Sequence, residues 1–408
     1  MTKKNINLKI AKRLFALLVL SFLVSPLFAQ TNYNQGNIKQ KSYFQKIPYQ
    51  KVREMLIVVP VTIDGKIYRF MLDTGAPLYI SHKLYMELNL QIIGQTKVSD
   101  ASGTVKDMNH ILLPELDLQG ITFVNTPGIV DHENSFFLEC LGVDGFIGSN
   151  MLRNSVIQFD DHSGHIIITN DIKELSVKNT VRQKVTLTRI QSSPYIVVGL
   201  KKGDKKVGDR VLFDTGAASF YDMAVGVYNR VNDRAEILDK IAEGEGSFSF
   251  GAHGASESQQ HLLLNIPELL VAKTTFSNVA VTATSDSRSR IGSKLIQYGI
   301  VTLDYKKRHF YFEPFDDINT NELSEKTRQI GFTISNDKLV VGIIWDKALA
   351  SQVNLGDEVL SVNGLDYQQM DVCELFNSTI VFSRMATLIV ELRDKNTEEI
   401  KKVEIKRL

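Results

Sequence analysis

The chain has 408 residues, of which 43% are hydrophobic and 23% are charged, and its formal net charge is +1 at pH 7. This composition is that of a folded globular protein, and the length suffices for two or three domains, each with its own core. A net charge so close to zero, without a basic cluster interleaved with aromatic residues, excludes nucleic acid as an expected partner.

The first 29 residues have the pattern of a secretory signal peptide. Basic residues up to Arg13 precede an apolar run at residues 14–24, and cleavage is expected near Ala29-Gln30. The apolar run is short for a transmembrane helix, so we expect cleavage and export, with a retained N-terminal membrane anchor as the alternative. Residues 30–42 are rich in Asn, Gln and Lys, which predicts a flexible leader or, alternatively, a short pro-segment.

Two cysteines are present, Cys140 and Cys373, and they fall in different predicted domains. We expect two buried free thiols, with a bridge between them as the alternative. An exported chain without a disulfide framework fits a bacterial envelope, so the predicted location is the periplasm.

The most informative pattern is a supersecondary unit that occurs twice. In each copy an apolar run leads into Asp-Thr-Gly-Ala, at Asp73 in the first copy and at Asp214 in the second. An apolar strand and a glycine-containing turn precede each motif, and Ile-Gly-Ser with two further strand-like runs follows it. The matching segments are 56–59 and 196–198, 64–66 and 202–204, 146–149 and 290–293, 156–160 and 299–304, and 166–168 and 310–312.

Local signals place turns and helices inside these copies. The run Ile63-Asp64-Gly65-Lys66 between two apolar stretches predicts a β-hairpin. Helical spacing predicts a short helix over 81–90 with Ser81 as its N-cap, and a second helix over 224–241.

A strand that ends at Asp-Thr-Gly places a carboxylate at a tight turn, where glycine permits close backbone approach and the threonine hydroxyl can bond across to the other copy. If the two turns face one another, Asp73 and Asp214 cannot both ionise readily and they share a proton. One carboxylate can then act as base on a water while the other donates to the carbonyl oxygen under attack. The pattern predicts peptide hydrolysis, whereas a single such turn is equally typical of an ordinary turn-capping aspartate.

On these motifs the sequence resembles the aspartic peptidases, with the two-lobed architecture of the pepsin type and the Asp-Thr-Gly-Ala turns of the retropepsin type. The resemblance covers about residues 43–315. It implies that Asp73 and Asp214 are the catalytic pair and that residues 146–148 and 290–292 pack beneath the two turns, with Arg290 in place of an apolar residue. The residues implied to fix the carboxylates are Thr74, Gly75, Thr215 and Gly216.

The same resemblance implies hairpin flaps over the cleft that contact the substrate. In the first copy the implied flap residues are Asp100, Ser102 and Gly103, and in the second they are Ser249 and Phe250.

Two other motifs are weaker indicators of function. His162-Ser163-Gly164-His165 lies where two strands need a hairpin, so we interpret it as a solvated turn and not as a metal pair. Residues 244–251 have the glycine spacing of a phosphate loop, but the required Lys-Ser or Lys-Thr does not follow. No metal and no organic cofactor is implied.

Residues 328–408 read as a separate unit of domain size, with a helix predicted over 371–377. The stretch Gly356-Asp357-Glu358-Val359-Leu360-Ser361-Val362-Asn363-Gly364 is similar to that of bacterial PDZ domains. The resemblance implies that Ile330, Gly331 and Phe332 form a loop that captures a peptide C-terminus, while the peptide adds a strand to the sheet. A PDZ-like fold used only for packing or dimerisation is the alternative.

These patterns predict a mainly β protein with two pseudo-symmetric acid-protease β-barrel-like lobes and an α+β PDZ-like domain. The expected function is that of an aspartic endopeptidase acting on proteins or peptides, with peptide C-termini docking on the PDZ-like domain. One alternative is a non-catalytic peptide-binding or scaffold protein that retains the fold; another is that each lobe works only within an intermolecular dimer. The predicted segments are 1–29 signal peptide, 30–42 leader, 43–172 lobe 1, 173–184 connection, 185–315 lobe 2, 316–327 linker and 328–408 PDZ-like domain.

Overall fold

The structure is a computed structural model, and it confirms the mainly β fold expected from the sequence. The predicted signal peptide and the predicted flap residues Ser102, Gly103 and Ser249 lie outside the described residues. Among the described residues, no helix has the length and apolar character needed to span a membrane. The structure describes residues 32–100, 104–133, 135–178, 182–247, 250–251, 254–284, 286–316, 320–324 and 327–408.

Twelve strands come from the first half of the chain, residues 37–169. The predicted hairpin at Asp64-Gly65 is present: both residues have positive φ (49° and 77°), as in the two-residue turns that suit twisted strands. The strands are β1 Asn37–Ile38, β2 Phe44–Pro48, β3 Gln50–Val52, β4 Leu56–Ile63, β5 Lys66–Asp73, β6 Leu78–Ile80, β7 Ile92–Ser99, β8 Val105–Leu118, β9 Ile121–Val130, β10 Gly145–Gly148, β11 Val156–Asp160 and β12 His165–Thr169.

Six of these strands close into a barrel-like ring. The hydrogen-bonded order is β9, β6, β10, β5, β4 and β8, and β8 pairs back onto β9. Within the ring β10 runs parallel to β5, and β6 runs parallel to β9. The interior is filled by fully buried apolar side chains such as Phe70, Leu72 and Ile147. This packing fixes the end of β5, where Asp73 lies.

The second half of the chain repeats this order. Its described strands are β13 Arg182–Lys184, β14 Thr186–Leu187, β15 Pro194–Lys202, β16 Lys205–Asp214, β17 Tyr221–Ala224, β18 Asp239–Gly246, β19 Phe250–Gly251, β20 Gly254–Ala255, β21 Gln259–Val271, β22 Thr274–Thr284, β23 Arg290–Gly292, β24 Gly299–Asp304 and β25 His309–Pro314. The corresponding ring has the order β16, β23, β17, β22, β21 and β15, and β15 pairs back onto β21.

A six-stranded sheet joins the two halves. Its order is β13, β25, β24, β11, β12 and β2, so β11 of the first half pairs with β24 of the second. The apolar residues on its buried face belong to the same cluster as the interiors of both rings, including Phe159, Val301 and Phe310. Because the halves share one hydrophobic core, the ends of β5 and β16 are held in a defined relation.

The C-terminal unit, residues 327–408, has its own apolar cluster, which includes Ile330, Leu375 and Val390. Its strands are β26 Ile330–Ser335, β27 Lys338–Ile344, β28 Glu358–Val362, β29 Leu365–Asp366, β30 Leu388–Arg393 and β31 Ile400–Ile405. The helices of the described chain are α1 His82–Glu87, α2 Phe137–Leu141, α3 Ser149–Leu152, α4 Val225–Ala235 and α5 Val372–Arg384, with 3-10 turns at Ile172–Glu174, Ser293–Tyr298, Asn321–Ser324 and Lys347–Leu349.

The C-terminal unit is attached to both halves, and residues Tyr33–Leu408 form one compact unit. On the second half, β27 pairs with β18 at Gly246, and the Ser247 N–H donates to the Gly342 carbonyl oxygen over 2.8 Å. On the first half, α5 packs on α2: Asn377 donates to the Cys140 carbonyl oxygen, and Arg53 lies 4.0 Å from the centroid of the Phe376 ring.

The expectation of two free thiols was wrong, because Cys140 and Cys373 form a disulfide. Cys140 lies on α2 and Cys373 on α5, and these helices pack together although 233 residues separate the cysteines along the chain. The contact between α2 and α5 is a tertiary feature without a local sequence signal.

For three further segments, the residue range or the order predicted from the sequence differs from the structure. Helix α4 is shorter than predicted because Asp239 already begins β18, whereas α5 runs past Asn377 to Arg384. Residues 33–38 of the predicted flexible leader are anchored: Tyr33 is buried with its hydroxyl 2.8 Å from His110 Nε2, and β1 pairs with β9. Helix α1 begins after Ser81, which accepts a hydrogen bond from the Leu84 N–H as the predicted N-cap.

Candidate active site

The two aspartates lie at the C-terminal ends of equivalent strands. Asp73 is the last residue of β5 and Asp214 the last of β16. The parallel neighbour strands bring Gly148 opposite Asp73 and Gly292 opposite Asp214. A Cβ atom on Gly148 would lie 2.1 Å from the Pro77 carbonyl carbon, so only glycine lets the chain pass beneath the turn.

The two threonines lock the turns to each other. The Thr74 hydroxyl donates to the Phe213 carbonyl oxygen (2.5 Å) and accepts from the Thr215 N–H (3.0 Å). Thr215 mirrors this, donating to the Leu72 carbonyl oxygen (2.8 Å) and accepting from the Thr74 N–H (3.1 Å). Both side chains are fully buried, so these four hydrogen bonds form without competition from water.

This arrangement brings the two carboxyl groups together within hydrogen-bonding reach of each other. A Cβ atom on Gly75 would lie 2.6 Å from Asp214 Oδ1, and one on Gly216 would lie 2.5 Å from Asp73 Oδ2. Each motif glycine therefore lies against the carboxylate of the other half, and any larger residue would displace it.

Backbone donors hold each carboxylate in place. Asp73 Oδ1 accepts from the N–H groups of Gly75 (2.8 Å) and Ala76 (3.0 Å), and Asp214 Oδ1 accepts from the Gly216 N–H (3.1 Å). Asp73 is half-buried and Asp214 is 9% exposed, so the pair keeps some contact with solvent. Burial, followed by the negative charge of Asp214, raises the pKa of Asp73 well above its ordinary value.

A pair of serines supports the turns from below, and sequence reasoning assigned them no role. The Ser149 hydroxyl donates to the Thr74 carbonyl oxygen (2.5 Å) and also contacts the Tyr305 hydroxyl (3.0 Å). The Ser293 hydroxyl donates to the Ala217 carbonyl oxygen (2.8 Å). Their recurrence after each Ile-Gly was the signal that could have identified them.

Arg290 also lies at the site, in the position where the repeat leads one to expect an apolar residue. Its Nε is 3.7 Å from Asp214 Oδ2, and its guanidinium group also pairs with Asp286. The side chains of Arg290 and Asp286 are each 8% exposed. A charged group is thus buried beside one aspartate of the pair.

The described residues next to the predicted flaps belong to paired strands in both halves. β7 and β8 form a hairpin closed at Asp100, whose N–H and Oδ1 bond to Thr104 (3.1 Å each). In the second half β18 and β21 form the equivalent hairpin, and β18 is also bound to β27. Of Phe250 the structure describes the backbone, in the short pair of β19 and β20.

The predicted PDZ residues lie on β26 of the C-terminal unit. Ile330 is buried, Gly331 and Phe332 are half-buried, and the Phe332 ring lies 5.1 Å from that of Phe382 on α5. The strand pairs with β27 along its whole length. The structure therefore brings the aspartates, threonines and glycines of the two motifs into one site, while Ile330 and Phe332 pack in the apolar cluster of the C-terminal unit.

Comparison with known protein families gives one match. Residues 59–151 match the family described as Aspartyl protease, a segment that contains Asp73 and the Ile147-Gly148 pair opposite it. A search of curated proteins returns no match. The matched segment is similar to aspartyl proteases, which supports a peptidase that acts on proteins or peptides.

Proposed function

We propose that the protein is an aspartic endopeptidase in which Asp73 and Asp214 activate one water molecule. The observation that carries the proposal is the contact between the two carboxyl groups at the ends of β5 and β16. A carboxyl group with a raised pKa beside a second carboxylate supplies both a proton donor and a base at the same pH.

Two carboxyl groups and one water molecule suffice for hydrolysis of a peptide bond. The carboxylate takes a proton from water while the water oxygen attacks the peptide carbonyl carbon, and the carboxylic acid gives its proton to the carbonyl oxygen. The carboxyl group that took the water proton then gives it to the amide nitrogen, while the other carboxylate accepts a proton from a hydroxyl of the tetrahedral intermediate. The C–N bond breaks, a carboxylic acid and an amine are released, and the starting protonation of the pair is restored. The hydrogen bonds of Thr74 and Thr215 keep the carboxyl groups in register during these steps.

The proposal includes a docking role for the C-terminal unit and an exported location. The half-buried Gly331 and Phe332 on β26 support binding of a peptide C-terminus by strand addition. The basic and apolar N-terminal pattern supports export, with the periplasm as the destination. The disulfide between Cys140 and Cys373 supports an oxidising compartment.

The test is cleavage of an unfolded protein by the wild type and by the variants Asp73→Asn and Asp214→Asn. We expect each variant to lower kcat by at least about 100-fold, since each removes a proton-transfer group. Asp64→Asn is the matched control, because Asp64 lies in the exposed turn at the other end of the same hairpin. Cleavage by the wild type and Asp64→Asn alone supports the proposal.

The competing function is peptide capture without turnover by a scaffold protein that retains the fold. It predicts that a fluorescent peptide binds equally to all four proteins and stays intact. Equal cleavage by the wild type and both dyad variants would also refute the assignment of Asp73 and Asp214. Measuring sedimentation together with activity separates a monomeric enzyme from one that works only as a dimer.

A further inference from the structure

The two aspartates have different neighbours at one equivalent position of the repeat. In the first half, β10 carries Phe146 opposite Met71; in the second half, β23 carries Arg290 opposite Leu212. Phe146 stacks on Tyr79 with ring centroids 5.1 Å apart. In the second half the equivalent strands β23 and β17 place Arg290 opposite Asp222, so an arginine and an aspartate replace the aromatic pair.

Arg290 is held close to Asp214 by the groups around it. Its guanidinium pairs with Asp286, and its Nε lies 3.7 Å from Asp214 Oδ2. This buried Nε has no hydrogen-bond partner among the described atoms. Its side chain is 8% exposed, so the cation acts on Asp214 with little screening by water.

Other charged groups also face this cation. Asp222 accepts a hydrogen bond from Ser219 (2.5 Å), and burial raises the pKa of Asp222, so that it is more readily neutral than an ordinary aspartate. Arg288 lies 3.9 Å from Asp286 and shares that carboxylate with Arg290. Burial lowers the pKa of Arg290, but the negative charges of Asp214, Asp286, Asp222 and Asp73 together raise it, so the guanidinium stays charged.

Asp73 has different neighbours. Within the described part of the chain no Lys, Arg or His forms an ion pair with it, and the N–H groups of Gly75 and Ala76 donate to its Oδ1. Backbone N–H groups carry partial charges, whereas Arg290 carries a full positive charge beside Asp214. The negative charge of the pair is therefore better stabilised on Asp214.

We propose that Arg290 is a positioning residue that keeps Asp214 as the carboxylate of the pair and leaves the shared proton on Asp73. This deepens the proposed function and rests on it for its catalytic meaning: Asp214 takes the proton from the attacking water, and Asp73 gives its proton to the peptide carbonyl oxygen. The resting charge distribution itself does not depend on any substrate.

The test is a pH titration of the aspartate carboxyl carbons by 13C NMR in the full chain, with the two signals assigned through Asp73→Asn and Asp214→Asn. The dyad loses its two protons in two steps. In the wild type we expect most of the Asp73 signal change in the step at higher pH and most of the Asp214 change in the step at lower pH, because Arg290 favours the charged form of Asp214. The reverse order would overturn the proposal.

Removing the cation gives the sharper result. In Arg290→Met we expect each signal to change by about half in each step, because the two carboxyl groups become nearly equivalent. Arg290→Lys keeps a positive charge and should retain the wild-type order. Arg288→Gln is the matched control, since Arg288 touches Asp286 but not the dyad, and it should also retain that order.

If Arg290→Met does not fold, the same titration of Asp286→Asn tests the role of Arg290. Asp286→Asn removes the anion that competes for Arg290, so it should keep or strengthen the assignment of the carboxylate to Asp214. An exchange of the two signals in Asp286→Asn, or equal behaviour of Arg290→Met and the wild type, would refute the role of Arg290. The titration uses no substrate, so it can be interpreted whether or not the protein cleaves peptides. Failure of peptide cleavage would therefore refute the proposed function without changing the outcome of the titration.

Discussion

The two halves of the molecule share a strand order but surround their aspartates with different chemistry. In the first half Tyr79 of β6 and Phe146 of β10 form a stacked aromatic pair, and Tyr79 donates to Asp131 (2.6 Å). The equivalent strands of the second half carry Asp222 and Arg290. A repeated backbone therefore fixes where two carboxyl groups meet, while the side chains around it decide how their charge is shared.

The halves also differ in how they hold the C-terminal unit. The first half is joined to it by the disulfide from α2 to α5, and the second by strand pairing between β18 and β27. The hairpin of β18 and β21 is therefore joined through β18 to the strands of the C-terminal unit, in one continuous sheet. Strand β7 of the first half has β8 as its strand partner within the described residues and exposes Ile92 and Ile93.

The largest expected effect concerns the covalent connection. Cys373→Ser, or reduction of the wild type, should lower the free energy of unfolding by about 2–5 kcal/mol, because the bridge closes a very long loop in the unfolded chain. Urea titrations with and without reductant measure this loss. Reductant should have no further effect on Cys373→Ser, and an unchanged midpoint for the reduced wild type would contradict the prediction.

The second effect concerns a feature that the halves share. Thr74→Val and Thr215→Val should each lower the free energy of unfolding by about 1–3 kcal/mol, because each leaves a buried N–H and a buried carbonyl oxygen of the other half without a partner. The two losses should be similar, since the bonds are symmetric. Chemical denaturation of both variants measures them, with Thr275→Val, at an exposed position of β22, as a control for the substitution itself.

The third prediction separates the aspartates. The pKa of Asp73 is raised in the folded state, so folded protein binds more protons than unfolded protein once the pH exceeds about 4, and stability falls as pH rises through this window. Asp73→Asn cannot ionise and should be more stable than the wild type above that pH, with the difference vanishing in acid.

Asp214→Asn should act in the opposite direction, lowering the free energy of unfolding by about 1–3 kcal/mol at neutral pH, since Arg290 loses an anionic partner. Unfolding free energies of both variants between pH 3 and pH 8 test the contrast. Changes of the same sign in the two variants would show that the aspartates are equivalent in charge.

Much of the fold and of the candidate site was predictable because the signals are local. The apolar runs before Asp73 and Asp214, the Asp64-Gly65 turn and the Ser81 cap each act over a few residues, and the structure has a strand, hairpin or helix start at each. Repetition of the motif then indicated that two such turns meet. The boundaries of α4 and α5 were less accurate because packing against other elements sets them.

The sequence alone determined two copies of a strand that ends in Asp-Thr-Gly, because strand and turn geometry depend on neighbouring residues. Only the tertiary structure decided that Cys140 bonds to Cys373 and that Arg290 lies beside Asp214. These contacts join residues that are far apart along the chain or that face each other across adjacent strands. No local pattern specifies them, because they arise only when the shared core brings separate elements into contact.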